Sequence, residues 1–561
     1  LGQGGLHYCS GVVVEVTPTL AAEVADAPAH AGLPLRRDVY PGAPARPRAR
    51  PRRIAARRWE LTATHVAAGV AFTLMVAASL MLVSLAAARP SWLSPIGERG
   101  PFPHWLAGPL GPLTSWFTLN THGLNVAFTA IVATMCVAYA VAVFAAPRVR
   151  ARWALAAIVL VHLVFVLSPP MQLTDIFNYM NYARMEVVHG LNPYTTIPAL
   201  EPASDPTYLL SNWHGLLSPY GPLFTLFTLA MVPLGVAGAF WAFKIVLMAL
   251  SLGIILMVWR CAELLGRNPL SAAVFVGLNP LVLVWGLGGD HNDFFMVFLI
   301  VLGLYLLLRA ESARIGLRAP GAPGIGGERP AGALVLVRRA YAWLDGAPRP
   351  LPIGEPGPWL ELGAGVALSA AVAIKASAAI LVPVMIFGAP RRARFAIGVA
   401  LGLLVFGAAT VVAFGFNLPD LAQQDSLVVQ AGIPNLIGYV AGAGGDTAGL
   451  HHVFTGVLIA GVIGATLWAA RTRRWITASG SAVLVLLMTL SWMLPSYILW
   501  LLPFAALARA RWLRLTSLVF GVYVFLFWMP YGGALEHFLH LHLGATALAH
   551  QIAALQHSLE Y

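Results

Sequence analysis

Apolar residues run along this chain in long blocks, separated by short breaks rich in Arg, Pro or Gly. A hydrocarbon core of about 30 Å needs about 20 apolar residues in a helix, fewer where flanking side chains reach the interface. By that measure the pattern predicts spans over 66–87, 124–146, 152–168, 238–259, 270–287, 293–309, 359–374, 376–390, 395–416, 451–471, 476–493, 496–509 and 513–529. The expected fold class is therefore an all-α polytopic membrane protein with about 13 transmembrane helices. A lipid-exposed backbone must satisfy its own hydrogen bonds, and helices do so.

Composition supports this and charge orients it. Of 561 residues, 58% are hydrophobic and only 10% charged, whereas a soluble domain keeps roughly a quarter of its residues charged. The net charge of +12 sits in the N-terminal segment and in short clusters between apolar runs. That is the positive-inside pattern, with anionic lipid as the partner. Basic patches interleaved with aromatics, as nucleic-acid binding needs, are absent. With the clusters at 148–152, 260–267, 391–394, 471–474 and 509–514 inside, the segments 88–123, 169–237, 288–292, 417–450 and 530–561 fall outside. An apolar stretch at 222–236 breaks this count if it crosses, so it is read as a re-entrant helix.

The expected organisation is a disordered basic cytoplasmic tail (1–59), a transmembrane body (60–530) and an external C-terminal segment (531–561). The body carries a large external loop (169–237) and a Gly/Pro/Arg-rich cytoplasmic loop (310–358) whose ALVLVRRAYAWL patch suits the membrane interface. No cleavable signal peptide is expected, because the first apolar run begins near Val66. Cys9, Cys136 and Cys261 avoid the external loops, so no disulfide is expected.

The densest polar segment, TDIFNYMNYARMEVVHGLNPY, faces outside. Asp175, Asn178, Tyr179 and Tyr182 stand at i, i+3, i+4 and i+7, on one helical face. Gly190 and Asn192-Pro193 then end the helix. A carboxylate at the membrane boundary with amides and rings beside it suits holding a sugar hydroxyl against a general base, and equally suits helix capping. Trp213 and Tyr220 fit either interfacial anchors or stacking platforms for a saccharide. The turn Gly288-Gly289-Asp290-His291-Asn292-Asp293 offers two carboxylates and a histidine to a divalent ion or a phosphate-proximal network, or simply a helix cap. The only two lysines, Lys244 and Lys375, lie in or beside apolar runs, where an ammonium snorkels or faces a cavity. Lys375 also suits a phosphate. The turn Ser491–Pro503 adds Trp492, Tyr497 and Trp500 to the outer face, and His451, His452, His537, His540 and His542 read as interfacial or solvated.

In order, TDIFNYMNYARMEVVHGLNPY, SPYGPLFTLF, GGDHNDFFM, AIK and PSYILWLLP resemble the GT-C class of membrane glycosyltransferases. They are similar to the actinobacterial polyprenol-phosphate-mannose-dependent α-(1→6)-mannosyltransferases, and the similarity runs from about residue 170 to 505. The resemblance implies a GT-C-type bundle at the plasma membrane with its active site outside. It also implies a polyprenyl-phosphate sugar donor, most simply mannose, and a glycan or glycolipid acceptor. Asp175 corresponds to the family's general base, with Tyr179, Arg184, Asn192 and Tyr194 in the same loop and His291-Asn292, then Asp293, in the HN turn. Lys375 and Arg184 are candidates to stabilise the departing phosphate. The sequence demands neither nucleotide nor metal cofactor, and acceptor recognition is expected from the loops. The competing reading is a polytopic transporter or lipid flippase, although transporters place polar sites near the midplane between repeats.

Overall fold

The computed structural model describes residues 51–88, 90–91, 94–96, 102–114, 119–318, 359–472 and 474–560. Residues 1–50, the patch at 333–344 and Cys9 lie outside them. Among the described residues there are helices and turns but no strand. The chain divides into units at 1–57 and 58–561. The helices are α1 (Pro51–Ala88), α2 (Thr121–Ala145), α3 (Ala151–Val166), α4 (Asp175–His189), α5 (Pro222–Leu229), α6 (Gly235–Leu264) and α7 (Pro269–Gly277). They continue as α8 (Asp293–Arg318), α9 (Trp359–Ile374), α10 (Leu381–Gly388), α11 (Arg392–Phe414), α12 (Leu421–Asp425) and α13 (Ile433–Val440). The last are α14 (Ala448–Thr472), α15 (Trp475–Thr489), α16 (Ile498–Leu507), α17 (Arg511–Trp528), α18 (Gly532–Phe538) and α19 (Ala547–Glu560).

Every apolar run read from the sequence lies on helix, most within four residues of both ends. Among the described residues, seven helical segments are long and apolar enough to cross a membrane, and five shorter apolar ones accompany them. Three boundaries depart from expectation. Helix α1 starts at Pro51, so residues 51–59 are helical rather than part of an unstructured tail. Helix α8 runs on through Arg318, into the segment read as a loop from 310. The run 270–287 is broken: α7 stops at Gly277 and a π-helix occupies Val282–Leu287, next to the turn that carries Asp290 and His291. π-bulges concentrate at such functional sites, because they re-aim side chains. The stretch 222–236 is α5, a 3₁₀ turn (Val232–Leu234) and the first residues of α6, which begins at Gly235 with φ +68°.

One large apolar core joins helices from α1 to α17. Some polar groups inside it pair with one another: His162 bonds Ile158 O and Ser251 Oγ, each at 2.8 Å. Ser369 of α9 donates to Val399 O of α11 at 2.7 Å. Without water between helices, such bonds and close packing must hold them together. Cys136 and Cys261 are free thiols.

Candidate active site

The expected helix over the polar segment is α4, and Gly190 ends it in the left-handed conformation, φ +64°. Thr174, not Asp175, is the N-cap residue. Asp175 is thus free of the capping role that the sequence left open, and its carboxylate Oδ2 lies 3.3 Å from His291 Nδ1. The shared face of α4 packs as its spacing requires. Asn178 locks onto the loop at Asn212, donating to Asn212 Oδ1 at 2.9 Å and accepting from the Asn212 and Trp213 N–H groups at 3.0 and 3.3 Å. The Tyr179 hydroxyl accepts from Asn292 N at 3.3 Å, and that of Tyr182 donates to Leu216 O at 2.7 Å. Edge-on rings of Tyr220 and Phe224, 4.7 and 4.9 Å from Tyr179, wedge α4 in place.

The two lysines are explained by the two aspartates of the 288–293 turn. Lys244 does not snorkel: its ammonium is buried and donates to Asp290 Oδ1 at 2.8 Å and Ser168 Oγ at 3.1 Å. Lys375 donates to Asp293 Oδ1 at 2.7 Å and stands 4.4 and 4.9 Å from the ring centroids of Tyr497 and Trp500. Asp290 and Asp293 therefore serve separate cations rather than one shared ion. Among the described residues, no group of three or more His, Cys, Asp or Glu side chains is placed to hold a metal. Gly221 sets the position of Lys375. Its N–H donates to Ile374 O at 3.1 Å, and a Cβ there would come within 2.2 Å of Ala373 O. Only glycine allows the chain after Tyr220 to lie directly against the residues before Lys375.

These residues enclose a cavity of about 600 Å³. Of the residues singled out in the sequence, Asp175, Tyr179, Trp213, Tyr220, His291, Asn292, Lys375 and Tyr497 line it. Asp293 lies beneath, fully buried, as the partner of Lys375. Others are not brought to it. Arg184 is clamped to Asp205 through Nε (2.9 and 3.0 Å) and Nη2 (2.9 Å), with His189 on the same carboxylate at 2.8 Å. It lines a separate small apolar cavity and has no free charge for a phosphate. Asn192 holds Phe414 O at 3.0 Å and Tyr194 N at 2.9 Å, while the Tyr194 hydroxyl bonds Tyr220 O and Thr225 Oγ1 at 2.9 and 2.8 Å. Together with Asn178, Tyr182 and Asp290, they brace the loop and the turn.

The electrostatics suit proton transfer. Burial raises the Asp175 carboxyl above its ordinary value; His291 and Lys375 oppose this and Asp293 reinforces it. Burial likewise pulls the His291 imidazole down, against the pull of Asp175 and Asp293. Three buried polar atoms on the cavity's lining residues have no hydrogen-bond partner among the described residues: His291 Nε2, Asn292 Nδ2 and Trp500 Nε1. Buried polar groups are nearly always paired, so these atoms are exceptions in the cavity wall. Apolar side chains, Ile380, Leu458, Leu486 and Leu490, line the same cavity.

Sequence reasoning missed Asn212, Gln424, Asp425 and Glu560 in this lining. Asn212 directly precedes Trp213, which the sequence did single out. Asp425 and Glu560 had no local motif, and only tertiary folding brings them in.

The model of a family described as Alpha-(1->6)-mannopyranosyltransferase, N-terminal domain, matches residues 61–390, more than half of the chain. The match spans Asp175, His291 and Lys375. The chain is 31% identical over 155 residues to Alpha-(1->6)-mannopyranosyltransferase A of Corynebacterium glutamicum, covering 26% of this chain and 30% of that protein. It is 31% identical over 157 residues to the protein of the same name from Mycobacterium tuberculosis, covering 26% and 29%. Alignment thus spans under a third of these relatives' lengths. No solved structure matches the chain.

Proposed function

The chain belongs to the alpha-(1->6)-mannopyranosyltransferase family, and on that premise we propose that it is an inverting glycosyltransferase. It moves a sugar, mannose in the first instance, from a polyprenyl-phosphate donor to a glycan or glycolipid acceptor at the outer membrane face. The observation that carries this reading is the presence of Asp175 and Lys375 on one cavity, the ammonium held by Asp293 and faced by the rings of Tyr497 and Trp500.

In the proposed step the Asp175 carboxylate takes the proton of the acceptor hydroxyl as that oxygen attacks C1 of the donor sugar. The C1–O bond to phosphate breaks on the opposite face, so a β-linked donor gives an α-linked product, and polyprenyl phosphate departs. His291 holds the carboxylate in place. The Lys375 ammonium, fixed by Asp293 and two rings, neutralises the departing phosphate. A preset cation in a partly dry site does this with little reorganisation. The apolar side chains of Ile380, Leu458, Leu486 and Leu490 suit the isoprenoid.

The accompanying topology has about 13 crossings, with 222–236 dipping and the arginine clusters on the inner side of the plasma membrane. Assay of membranes carrying the protein against a panel of polyprenyl-phosphate sugars tests the function. Consumption of the mannosyl donor with formation of an α-mannoside is expected. Substrate accumulation inside sealed vesicles without any glycosylated product would favour a transporter instead.

A further inference from the structure

The lining of the large cavity divides into two groups. One is the catalytic group around Asp175, His291 and Lys375. The other is built mostly by residues beyond 390, outside the family match. It consists of Trp213 and Trp492, whose rings meet edge to face with centroids 5.9 Å apart, and of Gln424, Asp425 and Glu560. Leu216, Leu427 and Leu559 pack against the two indoles. Asn212 joins the groups: Thr174, the N-cap of α4, and Asn178 on α4 donate to its side chain, and Trp213 follows it in sequence.

We propose that this second group is the acceptor subsite, and that it selects a neutral, hydroxyl-rich glycan terminus; the inference rests on the transferase reading above. The argument is one of residue chemistry. A sugar ring has an apolar C–H face and a rim of hydroxyls, and an indole beside carboxylate and amide oxygens matches both. Asp425 is anchored through one oxygen only, Oδ2, by His451 at 2.9 Å, and its side chain stays 69% exposed. The Glu560 carboxylate lines the same cavity, with His557, one turn earlier on α19, as the charge that acts on it. Both retain acceptor capacity for vicinal hydroxyls, and charge-assisted hydrogen bonds of this kind are the stronger ones. Two carboxylates, with the histidines His451 and His557 rather than a lysine or arginine beside them, disfavour an anionic acceptor, which is selection by repulsion.

Glu560 reaches the cavity because α19 is docked on the external loop. Gly215 N donates to Leu559 O at 2.8 Å and Gln556 Nε2 donates to Val428 O at 2.7 Å. A Cβ on Gly215 would meet Ser558 O at 2.9 Å and Leu559 Cα at 3.0 Å. The glycine is what lets the helix approach. The C-terminal segment, read from sequence as a separate external piece, is thereby part of the site wall.

The test uses the full chain in lipid nanodiscs, with a mannosyl polyprenyl-phosphate donor and two acceptors, a neutral mannose disaccharide and the same disaccharide carrying a terminal phosphate. Asp425→Ala and Glu560→Gln are each expected to raise the acceptor KM about tenfold, the loss of one charge-assisted hydrogen bond, with the donor KM unchanged. The double variant is expected to lose the preference for the neutral acceptor. Gly215→Val, which displaces α19 without altering a lining side chain, is expected to raise the acceptor KM as well. Binding of the neutral disaccharide is measured directly in parallel. Acceptor KM and disaccharide affinity within about twofold of wild type in both single variants would overturn the subsite. Absence of transfer by wild type, with disaccharide binding that the variants still weaken, would overturn the transferase reading and support the subsite.

Discussion

Lys375 and Asp293 allow a test in which stability and catalysis are expected to part. The pair is short, 2.7 Å, and asymmetric: the Asp293 side chain is fully buried and that of Lys375 is 22% exposed. Removing one member of a buried pair costs up to about 3–5 kcal/mol, because the other charge is stranded. Lys375→Met strands the fully buried carboxylate and should fall toward the lower part of that range. Asp293→Asn leaves an ammonium that can turn to the cavity, and should cost about 1 kcal/mol, nearer the value of a partly solvated interaction. The charge-free double variant should recover most of the loss, since the coupling within a contacting pair is about 0.5–3 kcal/mol. Activity should behave differently. Loss of the cation beside the leaving phosphate should lower kcat by about 10²–10³, the value of one preset electrostatic group, and the double variant should be as impaired as Lys375→Met. Thermal unfolding in detergent and initial transfer rates measure the two quantities on the same preparations. A double variant that regains activity together with stability would refute a role for Lys375 at the phosphate.

The acid limb of the kcat/KM profile should lie above the ordinary carboxylate value, because burial raises Asp175 and the base works only when ionised. Activity is therefore lost as pH falls through that raised value, and in Lys375→Met the limb should move further toward neutral, since Lys375 is one of the charges that lower it. For the second pair, with side chains 1% and 0% exposed, Lys244→Met should destabilise by about 3–5 kcal/mol. Lys244→Met with Asp290→Asn should restore most of that in thermal unfolding. Glu201 is buried in the external loop, which pushes its carboxyl up to about 7. A raised folded value stabilises below the unfolded value, near 4.5, and that contribution is lost as pH rises to about 7. Hydrogen exchange in residues 190–220 should thus be slower at pH 5 than at pH 8 after intrinsic correction, and Glu201→Gln should flatten the difference.

What the sequence made legible was local. The spacing of Asp175, Asn178, Tyr179 and Tyr182 foretold the face of α4, and Gly190 its end, because periodicity and capping act within a few residues. The apolar runs located the helices for the same reason. The partners of the charges were not legible. Lys244 meets Asp290 across 46 positions and Lys375 meets Asp293 across 82, so nothing near either lysine distinguishes a buried pair from a snorkelling side chain. Arg184 resembled a phosphate ligand until Asp205, 21 residues on, proved to occupy it. The π-helix at Val282–Leu287 and the return of α19 to Gly215 lie equally beyond local pattern.

The central claim is that Asp175 accepts the proton from the acceptor hydroxyl. Its most direct test is transfer by purified Asp175→Asn, with donor binding and thermal unfolding measured on the same sample. The expected result is loss of product formation by about 10³ or more, with donor affinity and unfolding like wild type. Transfer within about tenfold of wild type by that variant would contradict Asp175 as the base.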